Sequence, residues 1–171
     1  MKGYALVGGW PGSGKTTLAR SLAAELGTAY LSKDDVKEAL MDGLGASVSL
    51  EESRRLGRTA VAVVLRVARG CPGAVIDSTW FAASRPLVLA LPGPVIEVRC
   101  RLDVDLARAR YWARTRDPRH LDGLRAADEL WATPVEPLGV GPLIEVDTTG
   151  PVDVPAVAAL VRGHLTGGAT G

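Results

Sequence analysis

Cysteine is scarce in this chain, and neither sign of charge is in excess. The only two cysteines are Cys71 and Cys100, too few and too far apart for a disulfide framework or a metal-binding knuckle. We therefore expect two reduced thiols. The formal net charge of +1 gives no support to a broad surface that coats nucleic acid or to a polybasic membrane patch. A local basic groove is still compatible with that balance.

Long apolar runs are also missing. No stretch approaches the roughly 20 consecutive apolar residues of a transmembrane helix, and the first residues show no signal-peptide pattern. These absences predict a cytoplasmic protein without a membrane partner. The chain has 171 residues, of which 47% are hydrophobic and 23% charged, a composition typical of one compact domain. We expect a single domain over residues 1–171 with a frayed tail at residues 166–171.

Short apolar runs alternate with amphipathic stretches, which predicts an α/β fold with a parallel sheet. Five strands are predicted at residues 4–7, 29–31, 74–76, 95–102 and 143–146. Helices are predicted through Val36 and Met41 and at residues 15–26, 49–69, 84–91, 103–114, 124–131 and 154–165. The expected fold is a three-layer α/β/α sandwich around a five-stranded parallel sheet.

The most specific local pattern is a glycine-rich segment after the first predicted strand. Residues 9–16 read GWPGSGKT and match the P-loop pattern G-x-x-x-x-G-K-T in full, and a predicted helix follows at once, as that motif requires. Glycines let successive backbone N–H groups converge on an anion. An ordinary glycine-rich turn has no need of a lysine followed by a threonine. The predicted nucleotide-binding residues are Gly9, Pro11, Gly12, Ser13, Gly14, Lys15, Thr16 and Thr17.

Two side chains of this loop have distinct predicted roles. Lys15 supplies positive charge to the β- and γ-phosphates, and the Thr16 hydroxyl can ligate Mg²⁺. The expected cofactors are ATP and Mg²⁺, although the loop does not distinguish ATP from GTP. A GTPase switch is disfavoured because the sequence contains no Asn-Lys-x-Asp motif for reading guanine and no Asp-x-x-Gly after the third strand.

Two carboxylates, Asp34 and Asp35, follow the second predicted strand. Ligands of open α/β sheets bind beyond the carboxyl ends of the strands, so both should face the same rim as the P-loop. We predict that one of them accepts the proton of an acceptor hydroxyl, with Asp34 preferred, and that both contribute to the acceptor site. The alternative is that they only cap the following helix, where aspartate is favoured.

The segment after the third predicted strand adds one carboxylate and two aromatic residues. Asp77 is placed to reach Mg²⁺ through a water molecule, to lie beside the acceptor, or only to form a turn. Trp80 and Phe81 suggest an acceptor pocket with an apolar wall, and the alternative is a hydrophobic plug. We predict Asp77 as a metal and acceptor residue and Trp80 as an acceptor residue.

These motifs, with the arginines that follow residue 107, resemble a known family. The chain is similar to the small P-loop kinases related to 5′-hydroxyl polynucleotide kinase, chloramphenicol phosphotransferase and the zeta-toxin kinases, an AAA_33-type group of ATP-binding kinases. The resemblance covers about residues 3–165 and implies a P-loop NTPase kinase-like fold. It implies Asp34 as general base and Lys37 as the basic residue that contacts the acceptor. Polynucleotide kinases carry arginine at that place, which can grip a phosphate with two parallel hydrogen bonds.

The resemblance also implies a small arginine-rich lid at approximately residues 110–130. Arg110 and Arg114 are four residues apart and match the pair that begins the lid in such kinases. There, one arginine contacts the base or a phosphate, and another stabilises charge on the transferring phosphoryl group. A planar, permanently charged guanidinium suits that role. The alternative is a solvated helix face paired with nearby aspartates.

These expectations describe an ATP-dependent kinase that moves the γ-phosphoryl group to a hydroxyl of a small acceptor. Residues 43–69, which include Arg54, Arg55 and Arg58, are expected to form part of the acceptor site. One alternative is a 5′-hydroxyl polynucleotide kinase, which would need a basic groove and a nucleic-acid partner. The other is a nucleotide-binding regulatory module without an acceptor. The sequence predicts neither the acceptor's identity nor the oligomeric state.

Overall fold

The structure is a computed structural model that describes residues 1–47, 49–114, 118–121, 131 and 135–167. The strands are β1 Gly3–Gly8, β2 Ala29–Ser32, β3 Gly73–Asp77, β4 Val95–Arg101 and β5 Leu143–Asp147. The helices of this part of the chain are α1 Lys15–Leu26, α2 Lys33–Leu44, α3 Leu50–Ala68, α4 Arg85–Leu89, α5 Val104–Ala113 and α6 Val154–Gly167.

The strands form one parallel sheet in the order β2-β3-β1-β4-β5. Strands β1 and β3 are buried along their whole length, as expected for parallel strands with helices on both faces. The predicted five-stranded α/β/α sandwich is confirmed. Its register places Val7 and Ser32 beside Asp77 at the carboxyl ends of three strands, and this edge carries the candidate site.

The core has two layers because side chains alternate between the faces of each strand. Ala5 and Val7 of β1 pack in the cluster that contains Leu22 of α1 and Val161 of α6. Tyr4 and Leu6 pack in the opposite cluster, with the buried faces of α3 and α4. Apolar burial therefore holds the sheet between two helical layers and leaves its carboxyl edge open to ligands.

Local capping signals set several helix boundaries where the sequence predicts them. The Ser49 hydroxyl accepts a hydrogen bond from the Glu52 N–H at 3.2 Å and begins α3. The Asp103 carboxylate accepts from the first N–H groups of α5. Gly27 ends α1 with φ of 60°, a left-handed conformation that glycine adopts at little cost.

Other predictions meet the structure only in part. Helix α6 continues through Gly167, two residues into the segment predicted to fray, while residues 168–171 lie outside the described residues. Residues 124–130 of the predicted helix at 124–131 and most of the predicted lid also lie outside them. Cys71 and Cys100 are both free thiols. Among the described helices, none has the length and apolar character needed to span a bilayer.

Candidate active site

The carboxyl ends of β1, β2 and β3 open on a cleft of about 640 Å³, a volume typical of small-molecule sites. Three segments that are distant in sequence meet there because the strands run parallel. They are the P-loop after β1, the first turn of α2 after β2, and the residues that follow β3. One face of α3 forms a further wall. The sheet edge therefore brings Lys15, Thr16, Asp34 and Asp77 into one cavity.

Glycine conformation shapes the P-loop. Gly12 has φ of 79°, and a Cβ atom there would overlap the Ala107 carbonyl oxygen of α5. Gly14 is the N-cap of α1 with φ of 82°. A glycine at that position has no side chain to accept the first N–H groups of the helix, so these groups can bind an anion. The loop is thus a curved phosphate-binding turn at the start of a helix.

Lys15 lies within this curve. Its Nζ donates a hydrogen bond to the Trp10 carbonyl oxygen at 2.9 Å. Burial lowers the pKa of Lys15, and the nearby Asp77, Cys100 and Asp34 oppose that shift only in part. A bound polyphosphate would favour the charged ammonium. Because Lys15 is buried, the attraction between its ammonium and the phosphates would be stronger than the same attraction in water.

This lowered pKa predicts an alkaline limit on nucleotide binding. The lysine ammonium attracts phosphate only when it is protonated. In the protein without nucleotide, the pKa of Lys15 lies below its ordinary value of 10.5. Magnesium–ATP affinity should therefore fall as the pH rises through the lowered pKa, with proton uptake on binding. Over that same pH interval the unfolded chain binds more protons than the folded protein does. The contribution of Lys15 therefore raises the free energy of unfolding as the pH rises. Calorimetry in buffers of different ionisation enthalpy measures the uptake.

The comparison for this prediction is Lys15→Arg, whose guanidinium stays charged throughout the range. Any nucleotide affinity that this variant keeps should vary little over the same pH interval. An equally steep alkaline loss in both proteins would contradict the assignment to Lys15.

Thr16 and Asp77, the two predicted metal residues, are in direct contact. The Thr16 hydroxyl donates to Asp77 Oδ2 at 2.6 Å, and the Tyr30 hydroxyl donates to the same oxygen at 3.3 Å. Burial raises the pKa of Asp77, while the Lys15 charge and the Thr16 hydrogen bond partly oppose the rise. Asp77 lies beside the phosphate-binding loop and is not merely a turn residue.

These oxygens fit Mg²⁺. In the described residues, no group of three histidine, cysteine or acidic side chains could hold a metal by itself. Mg²⁺ in nucleotide sites, however, usually takes one or two protein oxygens together with phosphate oxygens and water. Thr16 Oγ1 would be the direct ligand, and Asp77 would orient it and bind the metal's water shell.

The two adjacent carboxylates of α2 point to different places. Asp34 lines the cleft and its Oδ1 lies 2.9 Å from Lys33 Nζ. Asp35 lies away from the cleft, where its Oδ2 is 3.8 Å from an Arg20 nitrogen. Its backbone N–H donates to the Ser32 hydroxyl, which caps α2. Of the two predicted acceptor residues only Asp34 therefore lines the cleft, because consecutive helical residues diverge by about 100°. Its role as the base stays a prediction.

Lys37 also lines the cleft, one helical turn after Asp34. It is 2% exposed, and its Nζ donates to the Ser53 hydroxyl of α3 at 2.7 Å. The bond ties α2 to the wall formed by α3 and holds the ammonium at the base of the cleft. Of the three arginines predicted near the acceptor, Arg54 and Arg58 line the cleft.

Arg110 and Arg114 do not act from one face, because α5 ends at Ala113 and the backbone of Arg114 is extended. Arg110 donates to the Thr148 and Thr149 carbonyl oxygens at 2.8 and 2.7 Å, so it anchors the segment after β5. Arg114 lines the cleft. Its role at the phosphates remains a prediction, and the structure gives Arg110 a structural contact in the loop after β5.

Trp80 corrects the predicted apolar wall. The residue is 5% exposed and its Nε1 donates to the Val7 carbonyl oxygen at 3.1 Å, which places the indole under the P-loop strand rather than beside the acceptor. Phe81 and Leu87 line the cleft in its place. The structure therefore agrees with the hydrophobic-plug alternative, because the Trp80 side chain packs in the core.

The buried position of Trp80 predicts a large effect on stability. Trp80→Ala should lower the free energy of unfolding by about 3–5 kcal/mol, the usual cost of emptying a buried aromatic site. Urea denaturation followed by circular dichroism measures it. The neighbouring Phe81→Ala is the control, because Phe81 is 47% exposed and its loss should cost far less. Equal stability losses would contradict the plug assignment.

Two contacts of the cleft rim had no distinctive signal in the sequence. His120 Nε2 lies 2.9 Å from Glu38 Oε1, and an Arg119 nitrogen lies 2.6 Å from Asp42 Oδ1. The partners are four residues apart, on one face of α2, and hold the segment 118–121 against it. His120 lines the cleft. The sequence could have indicated only the matching spacing of the two acidic residues.

The chain is similar to known proteins in both sequence and fold. The sequence profile of the AAA domain family AAA_33 matches residues 5–130. The chain belongs to this family. A candidate kinase from Chloroflexus aurantiacus is 34% identical and has a TM-score of 0.83, with 96% of this chain and 98% of that chain covered. The predicted AAA_33-type membership is thereby confirmed.

Two further comparisons concern the fold and the length of the chain. Shikimate kinase from Acinetobacter baumannii, solved with shikimate, is 21% identical with a TM-score of 0.57, covering all of this chain and 96% of that one. An uncharacterised protein of Mycobacterium tuberculosis H37Rv is 35% identical over 125 residues, or 64% of this chain. The chain spans about a quarter of the length of that curated relative.

Proposed function

We propose that this AAA_33 domain transfers the γ-phosphoryl group of ATP to a hydroxyl of a small-molecule acceptor. The observation that carries the proposal is the meeting of Lys15, the Thr16–Asp77 pair and Asp34 in one cleft of about 640 Å³. The first three residues suit a metal-bound polyphosphate, while Asp34 suits a hydroxyl acceptor. The kinase fold and the Chloroflexus relative support the same reaction class.

The donor side depends on the P-loop. The N–H groups at the start of α1 and the Lys15 ammonium would hold the β- and γ-phosphates in a fixed position. Mg²⁺, when bound, supplies charge neutralisation between those phosphates. Thr16 and Asp77 would orient it, and Arg114 would stabilise the equatorial oxygens of the transferring group. Positioning and charge account for most of the catalysis in this reaction class.

The acceptor side depends on Asp34. The acceptor oxygen attacks the γ-phosphorus, an oxygen–phosphorus bond forms, and the bond from that phosphorus to the bridging β,γ-oxygen breaks to release ADP. The acceptor proton passes to the Asp34 carboxylate. Lys33, whose Nζ lies 2.9 Å from Asp34 Oδ1, holds this carboxylate in place, so Lys33 is a positioning residue.

An acceptor screen tests the proposal. Purified protein with magnesium–ATP is assayed for ADP release against polyols, sugars, hydroxy acids, nucleosides, aminoglycosides, chloramphenicol-like alcohols and 5′-hydroxyl oligonucleotides. Acceptor-stimulated ADP with a matching phosphorylated product is expected for a small molecule. Tight nucleotide binding without any acceptor-dependent product would instead favour the regulatory module. Selective phosphorylation of oligonucleotides, with steep salt dependence, would favour the polynucleotide kinase.

A further inference from the structure

The lining of the cleft is positively charged, although the chain as a whole is nearly neutral. Among the described residues that line the cleft, six are lysine or arginine and two are aspartate. One of the two carboxylates, Asp77, already accepts a hydrogen bond from the Thr16 hydroxyl. The net charge of +1 thus conceals a concentrated positive field. Clefts lined by one sign of charge attract ligands of the other sign.

A bound nucleotide would neutralise only part of this field. Lys15 and Arg114 lie on the P-loop side, and the Arg114 charge acts directly on Lys15. Lys33 is paired with Asp34. The remaining cations of the lining belong to α2 and α3 and not to the P-loop. They are Lys37, Arg54 and Arg58.

One face of α3 forms this cationic wall. Its cleft-lining residues recur one helical turn apart, as expected for a single face, and they are Ser53, Arg54, Gly57, Arg58 and Val61. Arg54 and Arg58 are four residues apart, a spacing at which like charges repel. In the described part of the chain the structure gives Arg58 no carboxylate partner. A bound anion would reduce the repulsion between the two guanidinium groups.

The wall also has an apolar component. Val61 of α3 lies in the same lining as Phe81 and Leu87, and the last two are partly exposed. Such a wall suits the nonpolar face of a ring or a short carbon chain. A cationic acceptor, such as an aminoglycoside, would meet repulsion from the arginines.

We propose that the phosphoryl acceptor is a small anionic alcohol whose carboxylate or phosphate is bound by Arg58 and Arg54, with its carbon skeleton against Phe81 and Leu87. This inference rests on the proposed function and specifies its substrate class. Arginine recognises either anion with paired hydrogen bonds. The acceptor hydroxyl then lies toward Asp34, which lines the same cleft.

Matched acceptors test the charge requirement. Each anionic alcohol is compared with a neutral analogue of equal size: an aldonic acid with its alditol, a hydroxy acid with its amide, and a sugar phosphate with the sugar. We expect kcat/KM to be at least ~10-fold higher for the anionic members, the factor that one charged hydrogen bond supplies. The first two pairs report on a carboxylate and the third on a phosphate.

Matched variants assign that requirement to α3. Arg58→Ala should lower kcat/KM for the anionic acceptor by ~10–100-fold, mainly through its KM, with KM for ATP unchanged. Arg58→Lys should recover part of the loss. Arg55→Ala is the control, because Arg55 lies 72% exposed beside Glu52 and does not line the cleft. Circular dichroism and thermal unfolding establish that each variant folds.

The outcomes separate this inference from the proposed function. Equal turnover of neutral and anionic members, unaffected by Arg58→Ala, would overturn the anionic acceptor and leave the kinase assignment standing. Preference for a cationic acceptor, or for an oligonucleotide over every small anion, would overturn it as well. Nucleotide binding with no turnover of any acceptor would overturn both.

Discussion

Asp34→Asn should abolish turnover while leaving nucleotide binding intact. The amide keeps the size of the carboxylate but cannot accept the acceptor's proton, so kcat should fall by ~100–10,000-fold, the range for a lost general base. The variant keeps Lys15 and Thr16, and its affinity for magnesium–ATP should stay within about twofold of the original. Steady-state kinetics gives kcat, and calorimetry gives the nucleotide Kd.

Asp35→Asn is the matched control for this prediction. The two carboxylates are consecutive in sequence, yet Asp35 lies near Arg20 and outside the cleft, so its loss should leave kcat unchanged. The Lys33–Asp34 pair is partly exposed, and such pairs contribute little to stability. Both variants should therefore fold like the original protein. Full activity in Asp34→Asn, or equal losses in the two variants, would remove the base assignment.

Lys15→Ala should abolish nucleotide binding at working concentrations. The substitution removes the ammonium from the curve of the P-loop, and truncating one partner of a buried charge pair costs about 2–5 kcal/mol of binding. That corresponds to a Kd raised by roughly 30-fold or more. Turnover should disappear with it, since the same charge stabilises the transferring phosphoryl group. Titration with a fluorescent nucleotide, competed by magnesium–ATP, measures the change.

The folding of this variant distinguishes a lost ligand contact from a damaged fold. Burial lowers the pKa of Lys15, which means that the folded protein disfavours the charged form relative to water. Removing the charge relieves that cost and offsets the lost hydrogen bond to Trp10. We expect the free energy of unfolding to change by no more than about 1 kcal/mol. Lys2→Ala, at an exposed position, should change neither binding nor stability.

Several elements could be predicted because their signals lie between neighbours in the chain. The helix predicted at residues 15–26 coincides with α1 Lys15–Leu26, since the P-loop precedes it and Gly27 ends it. The Ser49 cap of α3 forms as expected. Such signals depend on hydrogen bonds within one turn of backbone, so no distant residue is needed to form them.

The positions of the two aromatic residues after β3 could not be predicted from local sequence signals. Trp80 and Phe81 are adjacent aromatic residues, and sequence alone placed Trp80 at the acceptor. In the structure the Trp80 indole hydrogen-bonds Val7 inside the molecule, while Phe81 faces the cleft. Which of two neighbouring aromatic residues is buried depends on the space beneath β1, and only the packed sheet defines that space.

By itself, the sequence determined the phosphate-binding loop, the α/β class and most helix and strand positions, because these follow from short-range backbone geometry and from the period of apolar residues. Only the tertiary structure decided the strand order β2-β3-β1-β4-β5, the turning of Asp34 into the cleft and Asp35 away from it, and the separation of Arg110 from Arg114. It alone distinguished Arg54 and Arg58, which line the cleft, from Arg55, which does not. These features depend on which faces of distant elements meet, and burial of apolar surface across the whole chain sets those contacts.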